Sequence, residues 1–132
     1  MDQRRIFDEV KACILRVVDI DPNLITSRAR LIDDLGMDSL DMLDLTFHLE
    51  QVFKVKLSPR EFENRAKAEL GDTPLDVEGV YTPAALEHIR VSMPEVPVEE
   101  LADGLTKQQL PRSFRVSTMV NLVMHSLEEK DA

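Results

Sequence analysis

Apolar positions recur at helical spacing in several stretches of the chain, and this recurrence sets the expected architecture. From Asp2 to about Val18, Ile6, Val10, Cys13, Ile14 and Val17 fall on one side of a helix while Arg4, Arg5, Glu9, Lys11 and Arg16 take the others. Asp21-Pro22-Asn23 stops it, because Pro22 disfavours helical geometry in the residue before it. The loop that follows runs to Asp38 and holds Leu24, Ile25, Leu31, Ile32 and Leu35, too apolar for a free linker. It is expected to lie across a bundle and bury several of them. A second helix is predicted over residues 39–53, with Leu40, Leu43, Phe47, Val52 and Phe53 turned inward and Asp41, Asp44 and Glu50 on the outer surface.

Ser58-Pro59-Arg60-Glu61 combines a capping serine, a proline at the first helical position and a glutamate at the third, so a third helix is predicted over 59–70, with Phe62, Ala66 and Leu70 as its inward edge. Thr82-Pro83 starts a further short helix carrying Ala85, Leu86 and Ile89, which the Pro94–Pro97 region ends. Another turn is expected around Val98 to Leu101, closing near Gly104. From Arg115 onward Val116, Met119, Val120, Val123 and Leu127 share one side, which predicts a last helix over about 115–129. The expected fold class is all-α.

Length and composition narrow the function. The 132 residues fit a single domain with one modest core. No Trp, one Tyr and five Phe leave the chain short of the aromatics on which nucleic-acid bases stack, and a net charge of −9 opposes a phosphate-backbone ligand. An acidic chain instead suits protein partners with basic docking patches. No basic N-terminal segment precedes an apolar run and no apolar stretch approaches bilayer length, so a cytoplasmic monomer without membrane insertion is expected. The single cysteine, Cys13, lies in the apolar repeat of the first helix and is expected as a buried thiol.

The stretch with chemistry is Asp33-Asp34-Leu35-Gly36-Met37-Asp38-Ser39-Leu40-Asp41. Asp38 is a favoured N-cap, and Asp41, three residues on, can complete a capping box. Ser39 then falls in the first turn with its side chain free, where unpaired backbone N–H groups and the helix dipole favour an attached phosphate. The stretch fails as a calcium loop, because counting from Asp33 puts Asp38 where the turn glycine belongs and Asp44 where a glutamate belongs, which leaves only loose divalent-ion binding open at this acidic end. His48, His88 and His125 are too scattered to build a metal site, so no metal and no catalytic residue is assigned.

Leu35-Gly36 before Asp38-Ser39-Leu40, with Leu43, Leu49 and Phe53 continuing helically behind, resembles the phosphopantetheine attachment site of acyl carrier proteins. The resemblance covers about residues 2–70 and 113–129, and it implies a four-helix bundle with one or two additional helices in an insertion at about 71–112. It also implies that Ser39, flanked by Asp38 and Leu40, carries phosphopantetheine as a phosphodiester. By the same resemblance Asp38, Asp41, Asp44 and Glu50 form the docking face for a phosphopantetheinyl transferase, synthases and acyltransferases. An acyl-chain cleft would be lined by Leu43, Phe47, Phe62, Met119 and Val123, each of which also reads as plain core.

The expected function is to hold acyl thioesters for fatty-acid or specialised lipid synthesis, lipid A included, with no catalysis by the chain itself. A carrier for polyketide or nonribosomal peptide synthesis and an unmodified helical adaptor are the alternatives. In the inserted segment, Leu75, Val77, Val80, Tyr81, Leu86, Ile89, Val91 and Met93 could extend the cleft or cover its mouth, or the segment could be a private docking surface for one enzyme.

Overall fold

The computed structural model describes residues 2–57 and 59–131, without the side chains of Pro59, Arg60, Phe62 and Asp131. Ser58 as a cap and Phe62 as an inward or cleft residue therefore lie outside the described residues. The described residues form five α-helices and one short hairpin: α1 (Gln3–Val17), α2 (Ser39–Phe53), α3 (Pro59–Leu70), β1 (Asp76–Val77), β2 (Val80–Tyr81), α4 (Pro83–Ser92) and α5 (Val116–Asp131). The fold is thus a helical bundle with extra helices. It divides into two compact units, one running to Leu57 and resuming at Phe114, the other spanning residues 58–113.

In the first unit, α1 and α5 pack together and α2 packs on α1. The Asp2 carboxylate starts α1 by accepting the N–H of Arg5 at 2.8 Å. Ile6, Val10, Cys13 and Ile14 form its buried face. At Asp21 the side chain accepts the N–H of Asn23 at 2.9 Å and opens a 3-10 turn with Pro22 in first place.

The long loop does lie against helices. Ile25, Leu31 and Leu35 are buried, whereas Leu24 is 53% exposed and Ile32 half-buried. Its backbone is bonded to the start of α5: Leu31 N–H to Phe114 C=O, Val116 N–H to Ala29 C=O and Ser117 N–H to Ser27 C=O, each at 3.0 Å. Such pairing accounts for how a loop this apolar satisfies its peptide groups while covering the core. From α5, Val116, Met119, Val120 and Val123 complete that core.

The rotation of α2 differs from expectation. Leu45, Leu49 and Phe53 are buried and Met42 packs against them, while Leu40, Leu43, Phe47 and Val52 are 75%, 58%, 56% and 38% exposed. Of the residues expected inside, only Phe53 is. Two apolar stripes run along this helix, and the longer one, 42-45-49-53, which continues to the last residue of α2, faces the core.

In the second unit α3 packs on α4. Gly71, at φ +61°, ends α3 with its N–H on the Lys67 carbonyl. The hairpin turns through Glu78 and Gly79, both at positive φ, and the Asp76 carboxylate accepts the Gly79 N–H at 3.0 Å. Thr82 caps α4 as expected: its Oγ1 accepts the Ala85 N–H at 3.2 Å and donates to the Pro74 carbonyl at 2.7 Å. Ala85, Leu86 and Ile89 face inward from α4, and Arg90 Nε donates to the Leu101 carbonyl at 3.0 Å, fastening the Val98–Leu101 turn.

Lys107 joins three parts of this unit. Its Nζ lies 3.2 Å from both Glu63 on α3 and Asp76 on β1, and its backbone N–H donates to Gly79. The pairing holds the Asp76 carboxyl below the usual range, led by the Gly79 N–H, and raises the Lys107 ammonium, led by Glu63. Of the apolar residues of the inserted segment, Leu75, Tyr81, Leu86, Ile89 and Met93 are buried, and Val77, Val80 and Val91 are exposed.

Candidate functional site

The approach to α2 is pinned from inside. Leu31, Leu35 and Met37 are buried, and the Met37 N–H returns to the Leu31 carbonyl at 3.0 Å. Between them Gly36 stands at φ +73°, a backbone conformation that only glycine takes without strain, and its N–H bonds the Ile32 carbonyl. The Asp34 carboxylate accepts the Arg30 N–H at 2.8 Å, and Arg30 pairs with Asp33 at 3.5 Å. This tight turn delivers the chain outward at Asp38, so the next helix begins at a fixed place.

That beginning is a complete capping box. Asp38 Oδ1 accepts the Asp41 N–H at 2.9 Å, and Asp41 Oδ2 accepts the Asp38 N–H at 3.0 Å. Ser39 is the first helical residue and is exposed, and among the described residues none bonds its hydroxyl. A free primary hydroxyl at a helix N-terminus can take a phosphoryl group, whose charge the dipole and the first N–H groups favour.

Leu40, Leu43 and Phe47 are all more than half exposed and form one apolar stripe on the outer side of α2, with exposed Asp38 and Asp44 beside it. Asp41 is half-buried. Glu50 is half-buried too, and its carboxylate accepts the Leu57 N–H at 3.0 Å, which fastens the segment after α2 rather than leaving the group on an open outer face.

The structure does not bring the expected cleft residues together at one surface. Met119 and Val123 are 3% and 0% exposed within the core of the first unit, whereas Leu43 and Phe47 stand on its outside. An open surface cleft of about 730 Å³ in this unit is lined by Arg4, Arg5, Phe7, Ser27, Ser117 and Val120, and by none of these four. Among the described residues no group of His, Cys, Asp or Glu is placed to hold a metal ion. No helix among them is long and apolar enough to cross a membrane.

The exposed stripe was hidden in the sequence because leucine and phenylalanine read as core by composition. The signal that could have found it is the competing stripe at 42-45-49-53, since a helix on the surface of a small bundle buries one face. The hairpin was likewise missed, although Glu78-Gly79 between Val77 and Val80 has the form of a two-residue turn.

Comparison with known proteins agrees with this geometry. The phosphopantetheine attachment site family matches residues 8–72, a span that includes the whole of α2 and the turn before it. The acyl carrier protein of Thermotoga maritima is 41% identical over 61 residues, covering 46% of this chain and 75% of that protein. Those of Campylobacter jejuni subsp. jejuni serotype O:23/36 and Campylobacter lari are 36% and 34% identical over 63 and 64 residues, with 82% and 83% of their lengths covered. With the attachment-site family spanning the capped start of α2 and three quarters or more of these relatives aligned, the chain belongs to the acyl carrier protein family.

Proposed function

We propose that Ser39 is the residue to which phosphopantetheine is attached, and that the chain holds acyl groups as thioesters on that arm for fatty-acid or specialised lipid synthesis, lipid A among the candidates. The observation that carries this is the exposed Ser39 hydroxyl, left without a partner among the described residues one position past a filled N-cap. In the transfer the Ser39 oxygen forms a bond to the phosphorus that bears pantetheine in coenzyme A. The phosphoanhydride bond breaks, 3′,5′-ADP leaves, and the serine proton passes to the transferase. The arm supplies the thiol; the chain supplies position.

The stripe Leu40, Leu43 and Phe47, with Asp38, Asp41 and Asp44 around it, is read as the surface on which the phosphopantetheinyl transferase, synthases and acyltransferases with basic patches dock. Apolar contact contributes the affinity there, and the carboxylates contribute orientation and rate of encounter. Leu43 and Phe47 move from the cleft to this surface. Met119 and Val123 remain the residues around which an acyl chain would enter the first unit, where each Å² taken from water contributes about 25 cal/mol. Of the eight apolar residues singled out in the inserted segment five are buried, so Val77, Val80 and Val91, with the also exposed Val98, are the ones left to meet a chain or a partner.

Intact mass spectrometry after incubation with coenzyme A and a phosphopantetheinyl transferase tests the attachment. A gain of one phosphopantetheinyl group that disappears in S39A is expected; no gain, or a gain that S39A retains, refutes it. The mass of the cargo on protein purified from its own host separates a fatty acyl group from a polyketide or peptide.

A further inference from the structure

We infer that Asp38 and Asp41 are positioning residues for arm transfer: together they set the register in which α2 starts, and that register keeps Ser39 from capping its own helix. The inference rests on Ser39 being the attachment residue. Serine is itself among the favoured N-caps. Were α2 to begin one residue later, Ser39 would occupy the cap, and its Oγ would accept the N–H of Asp41 or Met42.

Both donors are already taken, and by the same residue. The Asp41 N–H goes to Asp38 Oδ1 at 2.9 Å, and the Met42 N–H goes to the Asp38 backbone carbonyl at 2.9 Å. Asp41 closes the arrangement by holding the Asp38 N–H at 3.0 Å, so the backbone of Asp38 cannot slide. A serine oxygen acting as a cap has a lone pair and its χ1 angle committed to the helix. A serine at the first helical position, with the cap filled before it, has both free for attack on phosphorus.

The test is a set of variants loaded by a phosphopantetheinyl transferase with coenzyme A, with kcat and KM measured separately. D38S and D38N keep a capping oxygen but lose a docking charge, so KM rises while kcat stays within about twofold. D38A raises KM by the same factor and lowers kcat roughly fivefold, because Ser39 becomes the best cap remaining. At the other position D41N also loses a docking charge and raises KM, but it still accepts the Asp38 N–H and keeps kcat within about twofold, whereas D41A loses that bond and lowers kcat. The Met42 amide and the Ser39 Cβ resonance in NMR spectra should shift in D38A and D41A alone.

Equal kcat in D38A and D38S, with the whole effect in KM, overturns the inference and leaves the carboxylate acting only by charge. Unchanged kcat in every variant overturns it as well. Should D38A fail to fold, D41A against D41N decides the matter. A wild-type chain that gains no arm, or an S39A chain that gains one, overturns the assignment of Ser39 and this inference with it.

Discussion

Truncating Leu49 and truncating Leu43 should have opposite consequences, although both are leucines of the same helix. Leu49 is 0% exposed in the core with Ile14, Leu45 and Val123; Leu43 is 58% exposed. Leu49→Ala removes a fully buried side chain and leaves a cavity, at a cost of about 2–5 kcal/mol. Against a total of roughly 5–15 kcal/mol for a domain, that is a large share. For a unit of under a hundred residues each kcal/mol moves Tm by about 4–8 °C, so L49A should melt roughly 10 °C or more below the parent chain. Leu43→Ala removes a group that water already reaches and should change stability by no more than about 0.5 kcal/mol. Its effect appears in partner turnover: burying the exposed part of a leucine under an enzyme is worth about 1 kcal/mol, or roughly a fivefold rise in KM for arm transfer. Far-UV circular dichroism melts, with hydrogen exchange of the α2 amides to assign the transition, measure the first effect, and loading kinetics measure the second. If L43A destabilises the chain as much as L49A, the rotation assigned to α2 is wrong and with it the docking stripe.

Asp76 has its carboxyl pKa lowered by the Gly79 N–H and Lys107, so it contributes stability that is present above the ordinary aspartate pKa and is lost as pH falls through the lowered value. Thermal melts of the full chain and D76N from about pH 5 to about pH 2 should therefore converge toward the acid end, and a gap independent of pH would refute the pairing. Gly36→Ala meets no atom within 4 Å of the new Cβ, so its cost is that of forcing φ +73° on alanine, about 1 kcal/mol, read as a fall of about 4–8 °C in Tm. An unchanged Tm would mean the turn relaxes. Burial pushes the Cys13 thiol up, so a disulfide reagent should modify it far more slowly in the native chain than in urea. Equal rates would place that thiol at the surface.

What could be read before folding was local. The start of α2 follows from Asp38 and Asp41, which are near neighbours in sequence, and the start of α4 follows from Thr82-Pro83; both are where the capping residues predict them. The side of α2 that faces inward was not legible, because that choice depends on which stripe α1 accepts, and residues such as Ile14 lie far away along the chain. Glu50 shows the same limit. As a carboxylate on a helix it reads as solvated, yet its partner is a backbone N–H seven residues on, beyond the reach of helical spacing. Lys107 could not be paired with Glu63 and Asp76 from sequence, since more than thirty residues separate them and the hairpin brings them together.

The two features that decide the site, where α2 starts and how it is turned, have separate causes, and the position of Ser39 needs both. Successive helical residues are about 100° apart. With Leu49 as the centre of the buried face, Leu45 and Phe53 lie about 40° to either side, Ser39 about 80° away, Leu43 about 120°, Phe47 about 160° and Leu40 about 180°. Ser39 therefore stands at the border between the face that packs and the face that is open. The core sets this angle through Leu45, Leu49 and Phe53, and the capping box sets the axial position through Asp38 and Asp41. A hydroxyl at position 42 would point into the core, and one at position 40, about 180° from Leu49, would point directly away from it. On the proposed attachment, an arm at position 39 would turn one way toward a partner on Leu40, Leu43 and Phe47, or the other way toward the core of the first unit. On the proposed attachment at Ser39, this geometry would let one serine serve both delivery and shelter of an acyl group, and a helix rotated by one residue in either direction would lose one of the two.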